Sequence, residues 1–227
     1  MEIERKLAAL DRIYAVYDGF LRTLDTACRM HCRVCCTTHV TVTTLEACKI
    51  CGSLPPGERE KLVGRVGGAS GLKRFRPALT TNALAELCAH DGEVPEENDS
   101  PAGENCPLLV EDLCSIYSLR PFNCRCFISR TPCGAKGYAD VDEAVLAVNT
   151  LFLQAVEHVD ADGCSGNLLD VLGVMANEEK RTAYAAGRLH CTGNGLIANR
   201  PMKVLMLPPE QRETIEPILR KLRGIRV

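Results

Sequence analysis

Residues 26–36 read TACRMHCRVCC, with four cysteines in nine positions, two of them adjacent, and Arg29, His31 and Arg33 between them. The whole chain carries fourteen cysteines in 227 residues. Such a density has two physical explanations, a disulfide framework or a metal or redox site. The first residues, MEIERKLAALDRIYAVYDGF, are charged throughout and contain no uninterrupted apolar run, so they do not read as a secretory signal. No segment reaches the roughly 18 uncharged apolar residues of a membrane span. The expectation is a cytoplasmic chain whose thiols stay reduced and available as thiolate ligands, with metal preferred to disulfides.

The rest of the composition supports a packed core: 46% of residues are hydrophobic and 25% charged. Aromatics make up only 4% and Trp is absent, so the core must come from Leu, Val, Ile and Ala, a set that suits helices. The length fits one domain, or one domain with an extension. A formal net charge of −2 lacks the basic footprint of a nucleic-acid binder. The short KRFR run at 73–76 reads as a solvated helix end.

Ile3, Leu7, Leu10, Tyr14, Tyr17, Leu21 and Leu24 recur at steps of four and three, which predicts a long amphipathic helix. The same rhythm continues to Cys28, Cys32 and Cys35, placing these thiols on the buried face if the helix extends that far. HVTVTT at 39–44 alternates like a short strand. A helix follows, with Thr44 as its cap, Leu45, Cys48 and Cys51 on one face and Gly52 as its stop. Further helices are predicted at 58–66, 77–89, 140–159 and 167–189, and after Pro208 and Pro209 up to Gly224. The glycine-rich 64–71 reads as a loop and the acidic 90–107 as a mobile surface segment.

The first cysteine group is Cys28, Cys32, Cys35 and Cys36. A tetrahedral zinc holds its sulfurs only about 3.8 Å apart. Along a helix Cys28 and Cys35 would be separated by about 10 Å. These four therefore cannot share one ion while a helix is intact, whereas an iron–sulfur cluster tolerates wider spacing. The second group is Cys106, Cys114, Cys124, Cys126 and Cys133. It lacks a C-x2-C knuckle and makes most sense as the other half of a site begun at 28–36. Arg120 could offset thiolate charge or pair with a nearby carboxylate, and Tyr117 could donate to sulfur, with simple packing as the alternative for both.

Three stretches carry a family resemblance: Cys32-Arg-Val-Cys35-Cys36; Thr43 or Thr44 with Glu46 and Ile50; and Cys114-Ser-Ile-Tyr-Ser-Leu-Arg-Pro-Phe-Asn-Cys124-Arg125. Residues 28–138 thus resemble the cysteine-rich zinc- or iron-chelating family marked by C-x2-C-x2-C-C. The departure is Cys28, which stands four residues before Cys32 where the family pattern has three. The resemblance implies a cysteine-ligated zinc or iron site.

Among the other cysteines, Cys48, Cys51 and Cys88 read as core residues and Cys126 stays open. Cys164 and Cys191, in turn-like sequence, read as possible extra ligands. His31 reads as a neighbour of the ligands; His39, His90, His158 and His190 read as exposed. No catalytic acid, base or nucleophile stands out.

The expected fold is mainly α, a helical domain with irregular cysteine-bearing loops that converge on a metal site. Its expected parts are an N-terminal helix (1–27), a metal-binding region (28–138) and a helical C-terminal region (139–227). The expected ligands are Cys28, Cys32, Cys35, Cys36, Cys106, Cys114, Cys124 and Cys133, holding an iron–sulfur cluster first or zinc second. A metal-dependent redox or modifying enzyme and a structural zinc protein for protein–protein contact are the alternatives. No nucleic acid or membrane partner is expected.

Overall fold

The computed structural model describes residues 2–97, 103–191, 193 and 195–226, and over these the protein is mainly α. The chain opens with α1 (Glu2–Leu21), which buries Ala9, Leu10, Ile13, Tyr14 and Tyr17. The helix does not run on to the cysteines. Thr23 turns its hydroxyl back on the Phe20 carbonyl at 2.7 Å, and Asp25 and Thr26, which favour caps and turns over helix interiors, follow it. Ala27 then donates its N–H at 2.8 Å to Ser129, far away in sequence.

Strand β1 (Thr41–Thr43) leads directly into α2 (Thr44–Ser53). The cap is Thr43, one residue before the expected Thr44, in a reciprocal capping box with Glu46. Thr44 is unavailable because its hydroxyl donates to Asp160 at 2.7 Å. Gly52 lies inside the last turn of α2, so it is not the stop. Helix α3 (Pro56–Gly68) starts on a proline at its first position and runs through Gly64, Gly67 and Gly68. Most of the expected glycine loop is therefore helix, fixed to the core by Leu62 and Val66.

Helix α4 (Thr81–Ala89) is capped by Thr80. A hairpin of β2 (Leu109–Val110) and β3 (Leu113–Cys114) follows, then a 3-10 turn at Tyr117–Leu119, α5 (Phe122–Cys126) and the single-turn α6 (Cys133–Lys136). The long α7 (Glu143–Val159) matches the expected 140–159 helix. Strand β4 (Cys164–Asn167) leads into α8 (Leu168–Met175). The helix expected over 167–189 is in fact two, because Asn177 caps a separate α9 (Glu178–Ala185), accepting from Lys180 at 3.0 Å. Strand β5 (Ile197–Ala198) and α10 (Arg212–Arg223) complete the order.

The small sheet runs β1-β4-β5, antiparallel throughout, with Thr43 opposite Ser165 and Cys164 opposite Ala198. One hydrophobic cluster draws on α1, α2, α3, α5, α7, α8 and α10. At its centre Tyr17 meets Phe122 edge-on at 4.7 Å and Phe152 at 5.0 Å. Aromatics are few, but three of them form this knot, at contact distances favourable for ring pairs. The KRFR run is not a solvated helix end either. Arg74, whose side chain is mostly covered, and Arg76 both clamp the carboxylate of Asp170 in α8, at 3.0 and 2.8 Å.

In the acidic 90–107 segment, residues 98–102 lie outside the described residues. The end of the segment is anchored, contrary to expectation. Thr38 N–H donates to the Glu104 carbonyl and Cys106 N–H to the Cys36 carbonyl, each at 2.9 Å. No described helix is long and apolar enough to cross a membrane.

Candidate metal centre

Residues 28–36 form a chain of turns. Cys32 N–H returns to the Arg29 carbonyl at 3.0 Å and Cys36 N–H to the Arg33 carbonyl at 2.9 Å, with His31 in the left-handed region at φ 68°. Cys28, Cys32 and Cys35 therefore do not project from a helix face. Their loop bends over the second cysteine segment and is held there by three ties. One is the Cys36–Cys106 backbone bond and another the Thr37–Asn105 bridge. The third is the Arg33–Asp112 ion pair at 2.9 Å, which reaches the tip of the β2–β3 hairpin.

This places the two segments around one cavity of about 210 Å³. Seven of the eight expected ligands line it: Cys28, Cys32, Cys35, Cys36, Cys106, Cys114 and Cys124. The eighth, Cys133, starts α6 beside the first loop, where a Cβ added to Gly134 would stand 3.9 Å from Val34. Arg29, His31, Tyr117 and Arg120 also border the cavity, as does an apolar wall that includes Leu108 and Ile116. Tyr117 is covered by the Arg120 guanidinium at 3.7 Å from its ring centre, so the two expected neighbours of sulfur are stacked on each other.

The thiols differ in acidity. Burial raises Cys28, Cys114 and Cys124 above the usual thiol value and pushes Cys106 up to about 11. Cys35 is also raised, chiefly because it donates to Cys36, and that bond lowers Cys36. Arg120 opposes the rise at Cys35, Cys114 and Cys124, the charge-offsetting role expected for it. Of these six thiols only Cys36 is lowered, so a thiophilic ion bound here would have to displace protons from its neighbours.

Glu46 explains the T-x2-E stretch. It is buried, and one carboxylate oxygen accepts the Thr43 N–H at 2.9 Å as part of the capping box. The other accepts the Tyr14 hydroxyl at 2.7 Å and the Phe122 N–H at 2.6 Å. Phe122 is the first residue of α5, so Glu46 fixes the start of the turn that carries Cys124. Arg125 finishes the lock: it donates to the Arg120 carbonyl at 2.8 Å, pairs with Asp18 at 3.3 Å and lies over the Tyr14 ring at 4.5 Å. The R-P-x2-C-R stretch is thereby tied to α1 and α2 at once.

The remaining cysteines are spread elsewhere. Cys51 is buried and Cys48 half-buried on α2, while Cys88 is exposed and not a core residue. Cys126 is buried with its thiol on the Asn123 carbonyl at 3.3 Å, away from the cavity. Cys164 and Cys191 are joined in a disulfide, so neither is an extra ligand. Cys164 belongs to a strand, not a turn. His31 borders the cavity as expected, and His90, His158 and His190 are exposed. His39 is half-buried instead, with its Nε2 enclosed and without a partner.

The donor set suits a thiophilic metal. Among the described residues, however, no group of three or more His, Cys, Asp or Glu side chains already stands in a metal-holding arrangement. No protein-family model matches the chain, and no curated protein or solved structure is significantly similar to it. The family resemblance rests on the three motif stretches alone.

Proposed function

We propose that the protein binds metal through cysteine thiolates, iron in an iron–sulfur cluster as first choice and zinc as second. The ligands are drawn from Cys28, Cys32, Cys35, Cys36, Cys106, Cys114, Cys124 and Cys133. The observation that carries this reading is the gathering of seven of these thiols, from segments some seventy residues apart in sequence, around one cavity.

The chain's own residues would do three things. Cysteine thiolates would supply soft ligands. Arg120 would offset part of their negative charge. Glu46 and Arg125 would hold the Cys124 turn in place before metal arrives. A bound cluster would supply one-electron transfer; zinc would supply a cross-link between the two loops.

The test is metal and acid-labile sulfide content, with a visible spectrum, on protein purified without oxygen. Iron and sulfide in near-equal amounts are the expected result. Zinc without sulfide would replace the first choice by the second. Protein that acquires neither metal would end this reading.

A further inference from the structure

The stretch SLRPFNCR holds two arginines, and the fold uses them differently. Arg125 employs all three of its nitrogens: Nε on the Arg120 carbonyl at 2.8 Å, Nη1 on Asp18 and Nη2 on the Ser118 carbonyl, both at 3.3 Å. Arg120 employs one. Its Nε donates to the Tyr117 carbonyl at 3.1 Å, and its guanidinium lies over the Tyr117 ring, 3.7 Å from the ring centre. Among the described residues, neither terminal nitrogen of Arg120 donates to a carboxylate, a carbonyl or a sulfur. The side chain is half-buried and borders the thiol-lined cavity. The unused end of a planar fork, steadied by an aromatic ring, therefore stands at the cavity wall.

The charge around it is uncompensated as well. Arg29 borders the same cavity, is exposed, and pairs with no described side chain. Asp112 is the one carboxylate among the lining residues, and it is already paired with Arg33 at 2.9 Å. The wall also includes Val40, Leu108, Ile116 and Leu168, all buried, and the exposed Phe127. Small-molecule sites have this make-up, a mostly apolar lining with a few placed polar groups that orient the ligand. The end of an arginine fork matches a carboxylate in two parallel hydrogen bonds.

We propose that the cavity binds a small organic monocarboxylate, with the carboxylate on the terminal nitrogens of Arg120 and the hydrocarbon body against Leu108, Ile116 and Phe127. Arg29 adds positive charge at the same cavity. This site goes beyond the metal-binding reading and does not depend on it, since none of these groups is a proposed metal ligand. Phosphate fits less well. A dianion calls for more donors than one fork and one exposed arginine supply, and inorganic phosphate leaves the apolar wall unused.

The test is isothermal titration of the full chain, purified without oxygen, with hexanoate. One hexanoate per chain is expected, bound more tightly than acetate, which lacks the apolar body, and than hexanol, which lacks the charge. Arg120→Lys keeps the charge but removes the paired donors, and should weaken hexanoate about tenfold or more. Arg29→Gln, at an exposed residue with no partner to lose, should weaken it by a smaller factor. No hexanoate binding by the wild type overturns the proposal, as does hexanol or inorganic phosphate binding as tightly as hexanoate. Wild-type affinity in Arg120→Lys overturns it too. Should that variant fail to fold, wild-type affinity in Arg29→Gln has the same force. Metal content, read on the same samples, decides the metal-binding reading separately.

Discussion

Glu46 and Asp160 are buried carboxylates at the start of α2, and each is surrounded by donors. Glu46 accepts from Tyr14, Thr43 and Phe122, so every lone-pair direction that matters faces an N–H or O–H. Replacing one oxygen by an amide sets donor against donor, which costs about 1–3 kcal/mol. Glu46→Gln should lower the unfolding free energy by that amount in urea titration and reduce the metal content of the purified protein. Unchanged metal content would mean that Cys124 is positioned without it. Asp160 accepts from Thr44, Leu45, Asn199 and the Tyr184 hydroxyl. Burial outweighs these bonds and pushes it up to about 6 from a reference of 3.8. In the pH window between those values the folded chain binds more protons than the unfolded one, so stability falls as pH rises through it. The Asp160 contribution is on the order of 3 kcal/mol, and Glu157, also raised by burial, acts in the same direction. Asp160→Asn should flatten the stability profile across this window without abolishing its slope. A variant with the wild-type slope would remove Asp160 from the account.

At the scale of elements, the β2–β3 hairpin turns on Glu111 at φ 49° and Asp112 at φ 64°, both in the left-handed region. A two-residue turn of this hand follows the twist of the strands but favours Asn or Gly. Glu there is strained by about 1–2 kcal/mol. Glu111→Asn should therefore stabilise the protein by about 0.5–1 kcal/mol, read as a higher urea midpoint, while Asp112 keeps its pair with Arg33. A lower midpoint would place the Glu111 side chain in a role of its own. The same hairpin shows why some elements were hidden in the sequence. VEDL signals a tight turn only weakly, because Asp112 suits the left-handed position but Glu111 does not and neither Gly nor Asn is present. β4 was hidden differently: Cys-Ser-Gly-Asn has poor strand propensity, and its pairing with β1 and β5 is what makes it a strand. Where a sustained apolar period followed acidic residues, as with Tyr14 and Tyr17 on α1 or with α7 after Asp142, the elements were legible. The Cys28–Cys35 rhythm was misleading because helical spacing alone does not keep a helix going through Thr23, Asp25 and Thr26.

Across the whole molecule, the candidate site was legible as chemistry before it was legible as geometry. Spacing within 28–36 ruled out one helix-borne ion, and the absent knuckle in 106–133 required that region to find its partner elsewhere. The convergence of the two was thus implied, whereas the disulfide between Cys164 and Cys191 was not, since two cysteines in separate loops carry no spacing that identifies them as a pair. The convergence has a thermodynamic consequence. Metal bound only by the folded chain stabilises it by mass action, about 2.7 kcal/mol when free metal exceeds the dissociation constant a hundredfold. For a chain of this length each kcal/mol moves the melting temperature by roughly 2–4 °C. On the metal-binding reading proposed above, removing the metal, by EDTA for zinc or by oxidative loss for a cluster, should lower the melting temperature by about 5–10 °C. The loss should appear first in the residues the metal joins. Hydrogen exchange should quicken at the Cys106 and Ala27 amides, which cross between the two loops. It should change little at Leu45 and Phe122, whose amides are held by Asp160 and Glu46. A uniform rise over the whole chain would instead mean that the helical core depends on the metal for its folding.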